Sequence, residues 1–163
     1  MGKIVALQTE FIDYDLIIDE IEVIVPKYLE AIGALDEVRL FDAIPQLVHN
    51  MCAYWERLVK LFDQVHDYDH GIDFQEIEKN SLNSELAVLE KVYLNINNVI
   101  AFDEKNWSSA MWDAADAVLE RMNHVLADLG FEELHEDRLL VQEMLQNNCA
   151  KRKIWEIRTA LAS

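Results

Sequence analysis

The chain has 163 residues, with 31 Asp or Glu against 14 Lys or Arg (a formal charge of −17), 52% hydrophobic residues, four glycines and two prolines. So acidic a body repels nucleic-acid phosphates and anionic lipid head groups, which are bound by exchanging counterions for Lys and Arg. Glycine and proline fall below their usual shares of about 7% and 5%, which removes the turn chemistry of a many-stranded sandwich or barrel. One domain that buries roughly 70% of its unfolded surface suits this length.

Residues 1–10 read as an N-terminal arm that turns acidic too soon for a secretory signal, and Ala6 stands where myristoylation needs Ser or Thr. A first helix is predicted over 13–35, with Ile17, Ile21, Ile24, Tyr28, Ala31 and Leu35 spaced alternately four and three apart. Pro26 falls inside it, where it lacks an amide hydrogen and crowds the carbonyl of Glu22, so a kink or restart is expected.

A short helix or turn over 36–44 precedes a second helix at 45–68, with Pro45 in its first turn and Leu47, Met51, Tyr54, Leu58, Leu61 and Val65 as its stripe. The third, over 82–101, has N-cap candidates from Ser81 to Ser84 and carries Leu82, Leu86, Leu89, Tyr93, Ile96 and Ile100. The fourth, over 108–129, carries Met111, Ala115, Val118, Met122, Val125 and Leu129. A side chain between Asn106 and Ser109 caps its start, and Gly130 ends it in the left-handed conformation.

Two further helices are read at 132–147 and 151–161, parted where the apolar register fails at Gln146-Asn147-Asn148. The stripes are wider than a coiled-coil seam, so the expected fold is all-α: an antiparallel helical bundle of four long helices plus one or two C-terminal helices. Cys52 and Cys149 lack a C-x-x-C spacing and point to a reducing cytoplasm rather than a disulfide framework.

Little here resembles a catalytic constellation. Every stripe position is apolar, against the inward carboxylates of a di-iron bundle. Acidic pairs at i, i+3, such as Glu10/Asp13, Asp113/Asp116 and Glu133/Glu136, have the spacing of a Mg²⁺-dependent all-α nucleotide pyrophosphohydrolase, but no base is paired with them to hold a phosphate. Asp67, Asp69, Asp73 and Glu78 take positions one, three, seven and twelve of a calcium loop, yet Ile72 occupies the glycine position and Gly71 comes one residue early. Ca²⁺ or Mg²⁺ is thus the one cofactor with any candidate ligands, and no cofactor is the primary expectation. His49 and Cys52, one turn apart, lack a third ligand or orienting acid.

The acidic faces are the remaining candidates. Asp15, Asp19 and Glu22 share one side of the first helix, and Asp113, Asp116 and Glu120 one side of the fourth, repelling by a few tenths of a kcal/mol per pair. Trp107 is predicted to be exposed beside Asp103 and Glu104, as an aromatic centre with an acidic rim. The tail carries Lys151, Arg152, Lys153 and Arg158 against Glu156 alone. The expected function is that of a non-enzymatic acidic protein binding a basic protein surface, as an inhibitor, an immunity or antitoxin-like factor, or a nucleic-acid mimic. No membrane contact and no direct nucleic-acid binding are expected, and the broad stripes leave a homodimer open. The alternatives are the divalent-metal carboxylate enzyme and a helical bundle with an apolar ligand pocket.

Overall fold

A computed structural model of the protein describes residues 14–65, 74–130 and 139–162. Every regular element among them is helical. Helix α1 (Tyr14–Asp19) runs through a π-helical turn (Glu20–Ile24) into α2 (Val25–Glu37). A 3₁₀ turn (Phe41–Ala43) leads to α3 (Ile44–Val65), followed by α4 (Phe74–Phe102), a second 3₁₀ turn (Glu104–Asn106), α5 (Ser109–Asp128) and α6 (Leu139–Ala162). The all-α class read from the spacing is the class observed.

The π turn is how the chain accommodates Pro26. With no N–H at that residue, the turn before it widens: the Val25 N–H reaches back five residues to the Glu20 carbonyl, taking in one extra residue. The buried face advances by one position as a result. Ile17 and Ile21 are buried as predicted, but the next buried residues are Val25, Leu29, Ile32 and Asp36. The expected Ile24, Tyr28, Ala31 and Leu35 are only half-buried. The predicted kink is a register shift, and it carries a carboxylate inward.

Helix α2 ends in a Schellman motif built on an arginine. The Leu40 N–H reaches the Leu35 carbonyl at 2.9 Å and the Arg39 N–H that of Asp36 at 3.0 Å, with Arg39 at φ 59° where glycine is the usual residue. At the end of α5, Gly130 holds the equivalent position at φ 85°, as the sequence predicts. Ser108 caps the start of α5 by accepting the Met111 N–H at 3.1 Å, again as predicted.

Two boundaries differ from the sequence reading. Helix α4 starts at Phe74 rather than 82, since Ile77 extends its apolar side and Ser84, instead of capping, donates its hydroxyl to the Asn80 carbonyl at 3.0 Å inside the helix. Helix α6 continues through Gln146-Asn147-Asn148, because Asn148 is buried with a hydrogen bond to the Tyr93 side chain and so takes an inward position that an apolar residue was expected to hold.

Helix α2 packs against α3 and α4, and α5 packs against the same two, so the four enclose a shared core. Ile32, Ile44, Met51, Leu89, Ile96, Met111, Val118 and Met122 are fully buried in it. Helix α6 touches α4 and, through side chains, α5. No helix among the described residues is long and apolar enough to cross a membrane.

The left-handed backbone at Arg39 costs about 1–2 kcal/mol, while its ion pair to Asp103 is solvent-screened. Arg39→Gly should therefore be neutral or stabilising by up to about 1 kcal/mol. The urea midpoint reads this, and a clear loss would show that the ion pair outweighs the backbone term.

Candidate functional site

Three of the predicted recognition carboxylates are neutralised within the chain. Arg39 Nη1 lies 2.7 Å from Asp103 Oδ2, which also accepts from Asn106 Nδ2 at 2.8 Å. The Asn106 and Arg39 hydrogen bonds hold the Asp103 carboxyl below the usual carboxylate range. Glu104 accepts from Arg158. Arg152 Nη1 reaches both oxygens of Asp116 at 2.8 Å, and its Nε contacts Glu156 at 3.2 Å. The basic tail thus fastens α6 to the acids of α5 and the preceding 3₁₀ turn.

An aromatic row completes that fastening. The Trp107 and Trp112 rings meet edge to face at 5.8 Å, Trp112 and Trp155 lie at 6.2 Å, and the Arg152 guanidinium sits 5.8 Å over Trp112. Trp107 is half-buried, with its Nε1–H donating to the Val99 carbonyl at 3.3 Å, contrary to the exposed position expected for it. Exposure falls instead on Phe102, 87% exposed at the end of α4. The Arg39–Asp103 and Arg158–Glu104 pairs gather the ends of α2, α4 and α6, where Val38, Leu40, Ile157 and Leu161 are also exposed.

The other acids remain outward. Asp19 and Glu22 are exposed before α2, and Asp113 and Glu120 on α5, with no cationic partner among the described residues. Asp15 belongs to α1, and its side chain lies outside those described. Of the calcium-loop residues, Asp67, Asp69 and Asp73 fall outside the described residues, and Glu78 is half-buried on α4. No group of three His, Cys, Asp or Glu placed to hold a metal ion occurs among the described residues.

The apolar stripes of the sequence hold no charge, but the structure places an ion pair between two of the helices. Glu85 on α4 and Arg121 on α5 are buried and doubly bonded, Nε to Oε1 at 2.5 Å and Nη2 to Oε2 at 3.1 Å. Burial opposes the Arg121 charge, yet the hydrogen bonds and charge of Glu85 prevail and raise its pKa. Cys52 on α3 lies beside the pair, and burial pushes its thiol up, which keeps it protonated and a poor nucleophile. His49, its suspected partner, is exposed. The spacing held a hint, since Glu85 falls between Leu82, Leu86 and Leu89 on one face. Its partner lies 36 residues away on another helix, beyond any local pattern.

A groove runs between α2 and α4. Its larger part, about 680 Å³, is lined by Leu29, Gly33, Ala34, Val88 and Val92, with Asp36 and Asn95 at one end. A smaller part of about 250 Å³ continues past Ile21, Val25 and Ile77, and Pro26, Leu29 and Ser84 line both. A Cβ at Gly33 would meet nothing within 4 Å. Glu22, Glu30 and Glu37 stand exposed along the edge, with Lys91 the one lining cation among the described residues.

Asp36 is only 5% exposed. Its Oδ2 accepts from Asn95 Nδ2 at 2.6 Å, while Oδ1 is buried with no hydrogen-bond partner. Burial pushes the carboxyl up, Asn95 pulls against that, Glu37 adds to the rise and Lys91 opposes it. Neither Asp36 nor Asn95 stood out in the sequence, because only the π turn brings position 36 inward.

Set against protein-family models, curated proteins and solved structures, the chain matches none. The site therefore stands on its geometry.

Arg121→Met leaves Glu85 buried and unpaired, and should cost about 3–5 kcal/mol in chemical denaturation, whereas Glu85→Leu combined with Arg121→Met should be close to neutral. A small loss in the single variant would contradict the burial of the pair. For Asp36, a folded-state pKa raised above 3.8 means that stability present at low pH is lost as pH climbs through the window above 3.8. The melting temperature of Asp36→Asn should gain on that of the parent over this window and then level off. Parallel melting profiles would count against the assignment.

Proposed function

We propose that the chain is a non-enzymatic acidic binding protein whose partner presents a basic protein surface. The observation that supports this reading is how its cations are used. Arg39, Arg121, Arg152 and Arg158 are each tied to a carboxylate of the same chain. Asp19, Glu22, Glu30, Glu37, Asp113 and Glu120 are exposed and form no ion pair among the described residues, and the overall charge of −17 keeps the outer field negative. A field of this sign accelerates encounter with a basic partner and repels nucleic acid and anionic membranes.

An inhibitor, an immunity or antitoxin-like factor and a nucleic-acid mimic are three forms of the same chemistry. In the last, the acids occupy the phosphate sites of a basic protein in the cytoplasm. Exposed apolar side chains around Phe102 suit the slower step of holding the partner once it arrives. No group of three metal-binding side chains supports a metal-dependent enzyme among the described residues, and three of the four loop candidates, Asp67, Asp69 and Asp73, lie outside them.

The test is kinetic. With the partner isolated by affinity capture from the native host, association should slow about tenfold between 50 and 200 mM salt. It should slow again in the Asp113→Lys/Glu120→Lys variant, with the dissociation rate little changed. An association rate indifferent to salt would sink the reading.

A further inference from the structure

We propose that the groove between α2 and α4 is the docking site for a basic amphipathic helix, with the partner's apolar side chains in the trough and a lysine ammonium on the free oxygen of Asp36. This rests on the reading of the chain as a binder of basic protein and names the form its partner takes.

Length and lining fit such a guest. From Ile21 to Asp36 the groove follows sixteen residues of helix, about 22 Å or four turns. A guest helix of that length presents anchors at i, i+3 or i+4, and i+7, the usual way an amphipathic helix enters a groove. Leu29, Val88 and Val92 supply the apolar wall, and Gly33 leaves room where any other residue would project.

The charges choose the guest's sign and its anchor. Glu22, Glu30 and Glu37 along the edge outnumber the exposed Lys91 and face what would be the flanks of a bound helix, so those flanks carry mainly Lys or Arg. A small apolar ligand in the trough would leave these acids without a counterpart. At the end of the trough, Oδ1 of Asp36 is a buried acceptor lacking a donor. Its companion oxygen is already held by Asn95, so a guanidinium cannot grip both, whereas one ammonium on a slender alkyl stem reaches the buried Oδ1 once the Asp36 side chain turns toward the trough that it lines. An arriving ammonium also favours the ionised carboxylate, which burial alone disfavours.

A second copy of this chain is a poorer occupant. Its described basic segment lies on α6, where Arg152 and Arg158 are already engaged with Asp116 and Glu104.

The test uses the full chain and a labelled 18-residue peptide of leucine and lysine with an i, i+3, i+4, i+7 apolar face, beside a scrambled peptide of the same composition. Anisotropy should show the patterned peptide binding at least tenfold more tightly than the scrambled one. Gly33→Leu, which fills the trough, and Asp36→Asn, which removes the anchor, should each abolish most of that difference while melting no lower than the parent. Equal preference for the patterned peptide in parent and variants overturns the groove; if binding is still weakened by salt, the wider reading survives. Failure of both peptides to bind overturns the two together. Dodecylamine binding that is lost in Asp36→Asn, without peptide binding, assigns the groove to a small amine and overturns the helical occupant.

Discussion

A proline beyond the first turn of a continuous helix removes the hydrogen bond to the carbonyl four residues back, and at Pro26 the chain absorbs that loss by widening one turn. Much of the candidate binding surface depends on this accommodation. One extra residue rotates everything after it, so Val25, Leu29 and Ile32 enter the core in place of their neighbours, and Asp36 follows on the same face. The groove beside α4 takes its lining from the new register. A simple bend would have changed the direction of the helix without changing which side chains it buries.

Charge is used in two distinct ways. Inside the fold it is paired and directional: Arg121 holds Glu85 with two hydrogen bonds, and Arg152 clamps α6 through Asp116 and the Trp112 ring. Such pairs fix which helix faces meet more than they add net stability, because desolvation consumes much of the Coulomb gain at the buried site and water screens it at the exposed ones. On the outer faces acids outnumber the exposed cations, such as Lys27, Arg57, Lys60 and Lys91, and the excess charge is negative. Asp36 stands between these regimes, buried like the first and half-satisfied like the second.

The C-terminal helix shows why composition and placement must be read together. A basic tail on an acidic protein suggests a separate interaction segment, yet its arginines return to the chain's own carboxylates and its Trp155 joins the row with Trp107 and Trp112. Asp103, Glu104 and Asp116 are consequently less available than their spacing implies, and the aromatic exposed at that end is Phe102 rather than Trp107.

What the sequence determined by itself was local. Apolar residues repeating every three or four positions specify helices, Ser108 and Gly130 specify where α5 starts and stops, and the acid excess specifies the sign of the outer field. Each of these follows from covalent geometry or from residues within one or two turns. Tertiary structure decided the rest. The pairing of Glu85 with Arg121, the capture of Asp116 and Glu104 by the tail, the burial of Asn148 against Tyr93 and the half-satisfied Asp36 all join residues on different helices or depend on a one-residue register change. Helical spacing says which face is apolar, but not what lies across from it, and a carboxylate's chemistry is set by its neighbours in space.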